Sequence, residues 1–174
     1  MLAAAALITV LAAAKARADC DVPDDGTGIR EDVAFRADVG GTRAALANAG
    51  IGIGGVYYAE AFQNWGGMHD GSAYDGVLEL YINADMKKLG LWKGLCFFAN
   101  GYQIHGKSIT AEYVGALMPI SSLEASPATR LFEMWFQQSL FNDKVTVKVG
   151  QLAADAEFIL SEGGGYFLNG TWGW

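Results

Sequence analysis

Residues 74–85 read YDGVLELYINAD, an alternation that sets Tyr74, Gly76, Leu78, Leu80, Ile82 and Ala84 on one face and Asp75, Val77, Glu79, Tyr81, Asn83 and Asp85 on the other. A period of two is a strand, because successive side chains leave opposite sides of the pleat. The pattern narrows the architecture to two kinds. A soluble sandwich buries the apolar face in a core, whereas a transmembrane barrel gives that face to lipid and lines a wet lumen with the carboxylates. The chain is 52% hydrophobic, with a mean hydropathy of +0.19. Beyond its first residues it has no apolar run approaching the ~20 residues that a membrane helix needs. Short amphipathic strands are where such a chain can keep its apolar excess.

The N-terminus, MLAAAALITVLAAAKARA, is apolar from Leu2 to Ala14 and ends in the small-x-small triplet Ala16-Arg17-Ala18. It reads as an export signal over residues 1–18, cleaved between Ala18 and Asp19, although no Lys or Arg precedes the apolar run. Cleavage takes Lys15 and Arg17 from the 12 basic residues and leaves all 19 acidic ones, so nucleic acid is not an expected partner. Cys20 and Cys96 could pair in an oxidising periplasm. Their separation, and the place of Cys20 among the first mature residues, read them as structural bystanders.

Residues 19–49 read as a periplasmic arm, acidic and turn-rich as far as Val39 with Pro23, Gly26 and Gly28. GTRAALANAG at 41–50 predicts a short helix with Thr42 as its N-cap and Gly50 as its stop. From 50 to 174 the texture is strands and turns. Strands are expected at 51–65, 74–85, 95–106, 128–140, 144–152 and 166–174, with a hairpin across Phe141-Asn142-Asp143. In 95–106 apolar residues occupy both parities, so its facing is left open. The connections alternate, short at 86–94 and 141–143 and long at 106–127 and 153–165, as when one barrel rim faces the periplasm and the other carries external loops. Tyr57, Trp65, Tyr74, Trp92, Tyr102, Phe141 and Trp174 lie near strand ends, as interfacial aromatics do.

Catalytic and metal motifs are missing. Gly50-x-Gly52-x-x-Gly55 follows a helix-like segment and precedes strand residues, the reverse of a dinucleotide site, so its glycines serve strand packing. His69 and His105, the only histidines, lack metal-ligand spacing, and no Gly-x-Ser-x-Gly is present. No cofactor, metal or catalytic residue is expected. The polar parity is richer: Glu60, Asp75, Glu79 and Tyr81 from the earlier strands, and Glu133, Trp135, Gln137 and Lys148 from the later ones. Carboxylates and a base can hydrogen-bond sugar hydroxyls while aromatic faces stack on the C–H side of the ring. At each position a solvated wall residue is the plainer alternative. Arg130 falls on the apolar parity, near the long-loop end of its strand.

The stretches YDGVLELYINADMKKLGLWKG, FFANGYQIHG, PATRLFEMWFQQSL, VTVKVGQLAADAEF and GGGYFLNGTWGW, in this order, resemble successive segments of the OprB-type carbohydrate-selective porins of bacterial outer membranes. The resemblance runs from about Thr42 to Trp174. It implies an all-β fold, a sixteen-stranded antiparallel barrel passing sugars by facilitated diffusion, with neither cofactor nor turnover. It also implies Arg130, Glu133, Trp135, Gln151 and Asp155 as sugar contacts, which join Glu60, Glu79 and Lys148 in the candidate binding set. The implied partners are mono- or small oligosaccharides and outer-membrane lipid, with a trimer as the expected assembly of the full-length protein. Six strands cannot close such a barrel, so the chain is expected to be its N-terminal part, folded as an open curved sheet. A secreted β-sandwich lectin or glycosidase is the alternative, and a small complete barrel of adhesive role a third.

Overall fold

A computed structural model of the chain describes residues 7–11, 20, 41–153 and 168. Its elements are β1 (Leu7–Leu11), α1 (Thr42–Asn48), β2 (Ile51–Asn64), β3 (Gly71–Asp85), β4 (Leu95–Gly106), a π-helical turn at Thr110–Val114, β5 (Ala128–Leu140) and β6 (Val145–Gln151). The strands form one open antiparallel sheet of order β1-β6-β5-β4-β3-β2. From β2 to β6 this is a simple meander, the topology of up-and-down barrels.

The strands occur where the alternation predicts them, and β3 begins earlier, at Gly71. Which face is exposed decides between the two architectures. In β3, Leu80 is 58% exposed while Asp75 is 5% exposed. Ile53, Ile82, Met134, Phe136 and Val149 are likewise exposed, and Asp85, Asn100 and Thr146 are buried. A sandwich would show the opposite, since burying apolar area at about 25 cal/mol per Å² is what drives a soluble core. A sheet with its apolar parity bare and its polar parity covered is built for lipid.

The chain forms two compact units. Among the described residues, the first holds those up to Val56, Leu80–Gly101 and Leu131–Leu152, and the second holds Tyr57–Glu79, Tyr102–Arg130, Ala153 and Leu168. In the first unit, α1 starts from Gly41 in the left-handed region at φ 77, with no side-chain cap, so Thr42 is a helical residue and not the N-cap. Gly50 at φ 92 ends it, as expected, and its carbonyl accepts from the Asp85 N–H at 2.8 Å. The glycine string then does strand work. Side chains at Gly52 and Gly54 would occupy the space held by Asn83 and Tyr81.

One reading needs correction. Cys20 and Cys96 are not bystanders: they form a disulfide with Cα atoms 5.6 Å apart, across a sequence separation of 76. Sequence distance says nothing of spatial distance, and a loop this long loses about 4–5 kcal/mol of unfolded-state entropy in the chain-entropy picture. Leu7–Leu11, within the segment read as an export signal, pairs with β6 from Leu7↔Gly150 to Leu11↔Thr146. An edge strand presents unpaired N–H and C=O groups, which the backbone of a neighbouring strand can pair, and LITVL has the β-branched composition of a strand. The proposed cleavage site, the arm from 21 to 40 and the strand expected at 166–174 lie outside the described residues, Leu168 excepted.

Candidate functional site

In the first unit the polar parity of three strands brings rings together. Tyr81 of β3 stacks on Phe98 of β4 with centroids 6.4 Å apart, and Phe98 stacks on Trp135 of β5 at 5.1 Å. Lys148 of β6 places its Nζ 4.1 Å from the centroid of the Trp135 ring. The β5–β6 register sets Lys148 opposite Gln137 and Gly150 opposite Trp135. Gly150, at φ 149, is needed there: a Cβ would strike the Met134 carbonyl and come within 2.6 Å of the Trp135 Cα. With no side chain opposite, the indole turns to Phe98 and Lys148. An ammonium over indole contributes about 0.5–1 kcal/mol at an exposed site, and each ring pair adds a similar amount.

The other candidates sort by unit. Glu133 shares the Trp135 face of β5, and its backbone N–H donates to the buried Asn100 Oδ1 at 2.9 Å. Gln151 is committed to the sheet, its Nε2 donating to the carbonyls of Leu131 at 3.2 Å and Phe132 at 2.7 Å. Glu60, Glu79 and Arg130 belong to the second unit, with Glu60 and Glu79 half-buried and Arg130 exposed at the start of β5. Asp155 lies outside the described residues. Sequence reasoning missed Phe98. Its strand has apolar residues on both parities, and the usable signal was the buried polar Asn100 two residues on, which marks the parity of Cys96 and Phe98.

The second unit carries two further clusters. On the apolar parity, Tyr57 Oη lies 2.5 Å from Tyr74 Oη and 2.8 Å from His105 Nε2, and the Tyr57 and His105 rings stack at 5.7 Å. Gly76 makes room beneath them, since a Cβ there would sit 2.6 Å from Tyr57 Oη. Such amphipathic rings suit a membrane–water boundary. In the loop at 107–127, Glu124 accepts from the hydroxyls of Ser108 and Thr110 and from the N–H groups of Thr110, Ile120 and Ser121. Burial opposes its ionisation, but these hydrogen bonds outweigh burial and hold its carboxyl below the ordinary range. The same loop accepts, at the Tyr113 carbonyl, the N–H groups of Met68 and His69.

An antiparallel meander with bare apolar and covered polar parities belongs to the class of membrane β-barrel walls. Comparison with known proteins agrees. Residues 69–174 match the family described as "Carbohydrate-selective porin, OprB family", and the chain belongs to that family. It is an outer-membrane porin family, not a family of enzymes. The high-pH structure of Pseudomonas putida OprB has a similar fold, with TM-score 0.65 and 23% identity, over 72% of this chain. The chain spans 32% of the length of that protein. No curated protein matches it.

Proposed function

We propose that this chain forms part of the wall of a channel that passes mono- and small oligosaccharides by facilitated diffusion, and that Tyr81, Phe98, Trp135 and Lys148 are the shelf a passing sugar touches. The observation that carries this reading is the Lys148 ammonium held 4.1 Å over an indole that is itself stacked on Phe98. The exposed edge of such a row offers a flat apolar face for the C–H side of a pyranose beside a donor for its hydroxyls. Glu133, on the same face of β5, supplies a matching acceptor. Lipid covers the opposite parity at Leu80, Ile82, Met134 and Phe136. Glu79, Gln151 and Asp155 are wall residues of the same path, with Gln151 acting through its hold on β5, and Arg130, at the loop end of β5, stands at its rim.

Proteoliposomes made with the full-length porin test this. Glucose should enter faster than amino acids of similar size. Trp135→Ala should cut sugar selectivity about 3- to 10-fold, the worth of one aromatic contact, while small-ion conductance stays level or rises. Sugar and ion flux falling in proportion would reduce Trp135 to a wall residue.

A further inference from the structure

In the second unit, Asp75 and Glu60 face each other, and three of their four carboxylate oxygens have no hydrogen-bond partner among the described residues. Asp75 is only 5% exposed, and neither of its carboxylate oxygens has a hydrogen-bond partner. Glu60 is half-buried, and its Oε2 is enclosed and likewise unpartnered. Gly52 against Asn83 and Gly54 against Tyr81 define the pairing of β2 with β3. The same register carried along both strands sets Glu60 opposite Asp75. On the other flank of Asp75 stands Gly106, where a Cβ would collide with the Tyr74 carbonyl and the Asp75 Cα, so position 106 of β4 brings no side-chain donor. Glu60 and Glu124 both act on Asp75 with like charge, and only His105 acts with the opposite sign.

Like charges directly opposite one another destabilise a sheet, and an enclosed carboxylate without a counter-charge costs several kcal/mol. The protein supplies little relief. Across the sequence of this unit Lys107 and Arg130 are the only Lys or Arg residues. Lys107 is taken up by Glu112 at 3.7 Å, and Arg130 stands exposed on the apolar parity of β5.

We propose that Asp75 and Glu60 hold a hard divalent cation, Ca2+ or Mg2+, which cross-links β2 and β3. The donor set selects the ion class. Carboxylate oxygens without Cys or His suit these ions, which complete their shells with backbone carbonyls and water. Among the described residues no three His, Cys, Asp or Glu side chains group into a metal cage, so the protein contributes two charged ligands and leaves the remaining positions to smaller donors.

The test uses the full-length protein, extracted in detergent and stripped with EDTA, with terbium luminescence and thermal unfolding as readouts. Terbium bound at this site should luminesce through the neighbouring tyrosines, and added Ca2+ should displace it. Ca2+ should also raise the unfolding midpoint by several degrees, an effect that NaCl of equal ionic strength does not reproduce. Glu60→Gln keeps the shape of the side chain and should weaken Ca2+ at least about 10-fold, the loss of one charged ligand. Asp75→Asn should abolish the Ca2+ response while raising the midpoint in EDTA. A wild type indifferent to Ca2+, a response equalled by NaCl, or one that survives in both variants would overturn the proposal. Each result leaves sugar flux to be judged by itself, so a failure here is separable from a failure of the porin reading.

Discussion

The two units obey the same alternation and put different chemistry on its polar side. In the first, the covered parity carries Tyr81, Phe98 and Trp135, each resting on the next, with Lys148 above the last ring. In the second it carries Glu60 and Asp75, which face one another with both oxygens of Asp75 and the Oε2 of Glu60 unpartnered among the described residues. Rings satisfy each other by contact and need no donors. Carboxylates do need donors, so they leave an electrostatic demand that something outside the unit must meet. Alternation therefore tells which face a residue occupies but not whether that face is self-sufficient. Two glycines give a contrast of their own: Gly150 in the first unit is hemmed in by backbone, whereas Gly76 in the second is covered by side-chain ends.

The last contrast yields the largest expected effect. Gly150→Ala puts a methyl group against the Met134 carbonyl and the Trp135 Cα, at a φ of 149 that L-residues rarely adopt. Backbone strain and overpacking together should cost about 2–4 kcal/mol, read as a lower denaturant midpoint in detergent. The displaced indole should also reproduce the sugar-selectivity loss of Trp135→Ala. Gly76→Ala meets the Tyr57 hydroxyl at 2.6 Å and the His105 ring at 3.0 Å, atoms that can swing aside. Its cost should stay near about 1 kcal/mol and leave selectivity alone. Equal costs at the two glycines would dissolve the contrast.

Glu124 sharpens the comparison from the second unit, because there a carboxylate has what Asp75 lacks. Its ionised form is held by hydroxyls and backbone N–H groups, so its carboxyl sits below the ordinary value of 4.5. A depressed carboxyl contributes stability that is complete above the unfolded value and lost as the pH falls through the lower, folded one. Protease resistance of the loop at 107–127 should thus be flat at neutral pH and decline below about 4.5. Glu124→Gln should weaken the loop at pH 7 by about 1–3 kcal/mol, the range for lost hydrogen bonds to a charged group. The gap between variant and wild type should narrow as the pH falls through that window. A gap that stays constant would mean that packing, and not charge, holds the loop.

Much of this was legible in the sequence because period-two patterning is a local property. The strands from Ile51 to Gln151 occur where alternation and turn residues predict them, and Trp135 and Lys148 share a face because they sit on polar parities of a hairpin whose turn was readable. Long-range facts were not legible. The Cys20–Cys96 bond depends on where the chain returns in space, and Phe98 joins the shelf only because β4 lies between β3 and β5. Leu7–Leu11 is a case of competing uses. An apolar, β-branched segment serves as an export signal and equally as a partner for the edge of β6. N-terminal sequencing of the exported protein should begin at Asp19, which would take this strand away. An intact Met1 in the envelope fraction would instead keep the strand and remove the signal reading.

The smallest effect is expected at the β5–β6 turn. Phe141, Asn142 and Asp143 follow one another in the left-handed region at φ 53, 53 and 64. Asn and Asp enter that region readily because their short polar side chains bond locally, whereas an aromatic residue there costs about 1–2 kcal/mol. Leu140 pairs with Val145, so the turn is fixed by register and cannot relax by slipping without turning Trp135 to the wrong face. Phe141 is itself exposed, and its ring returns part of the backbone cost only if it rests in lipid headgroups. Phe141→Asn should therefore stabilise the protein by up to about 1 kcal/mol in detergent, where no headgroup layer rewards the ring. In lipid vesicles the gain should shrink or reverse. The same gain in both media would show that Phe141 does not rest at the interface, leaving Trp92 as the exposed aromatic of the first unit's turns to hold that boundary.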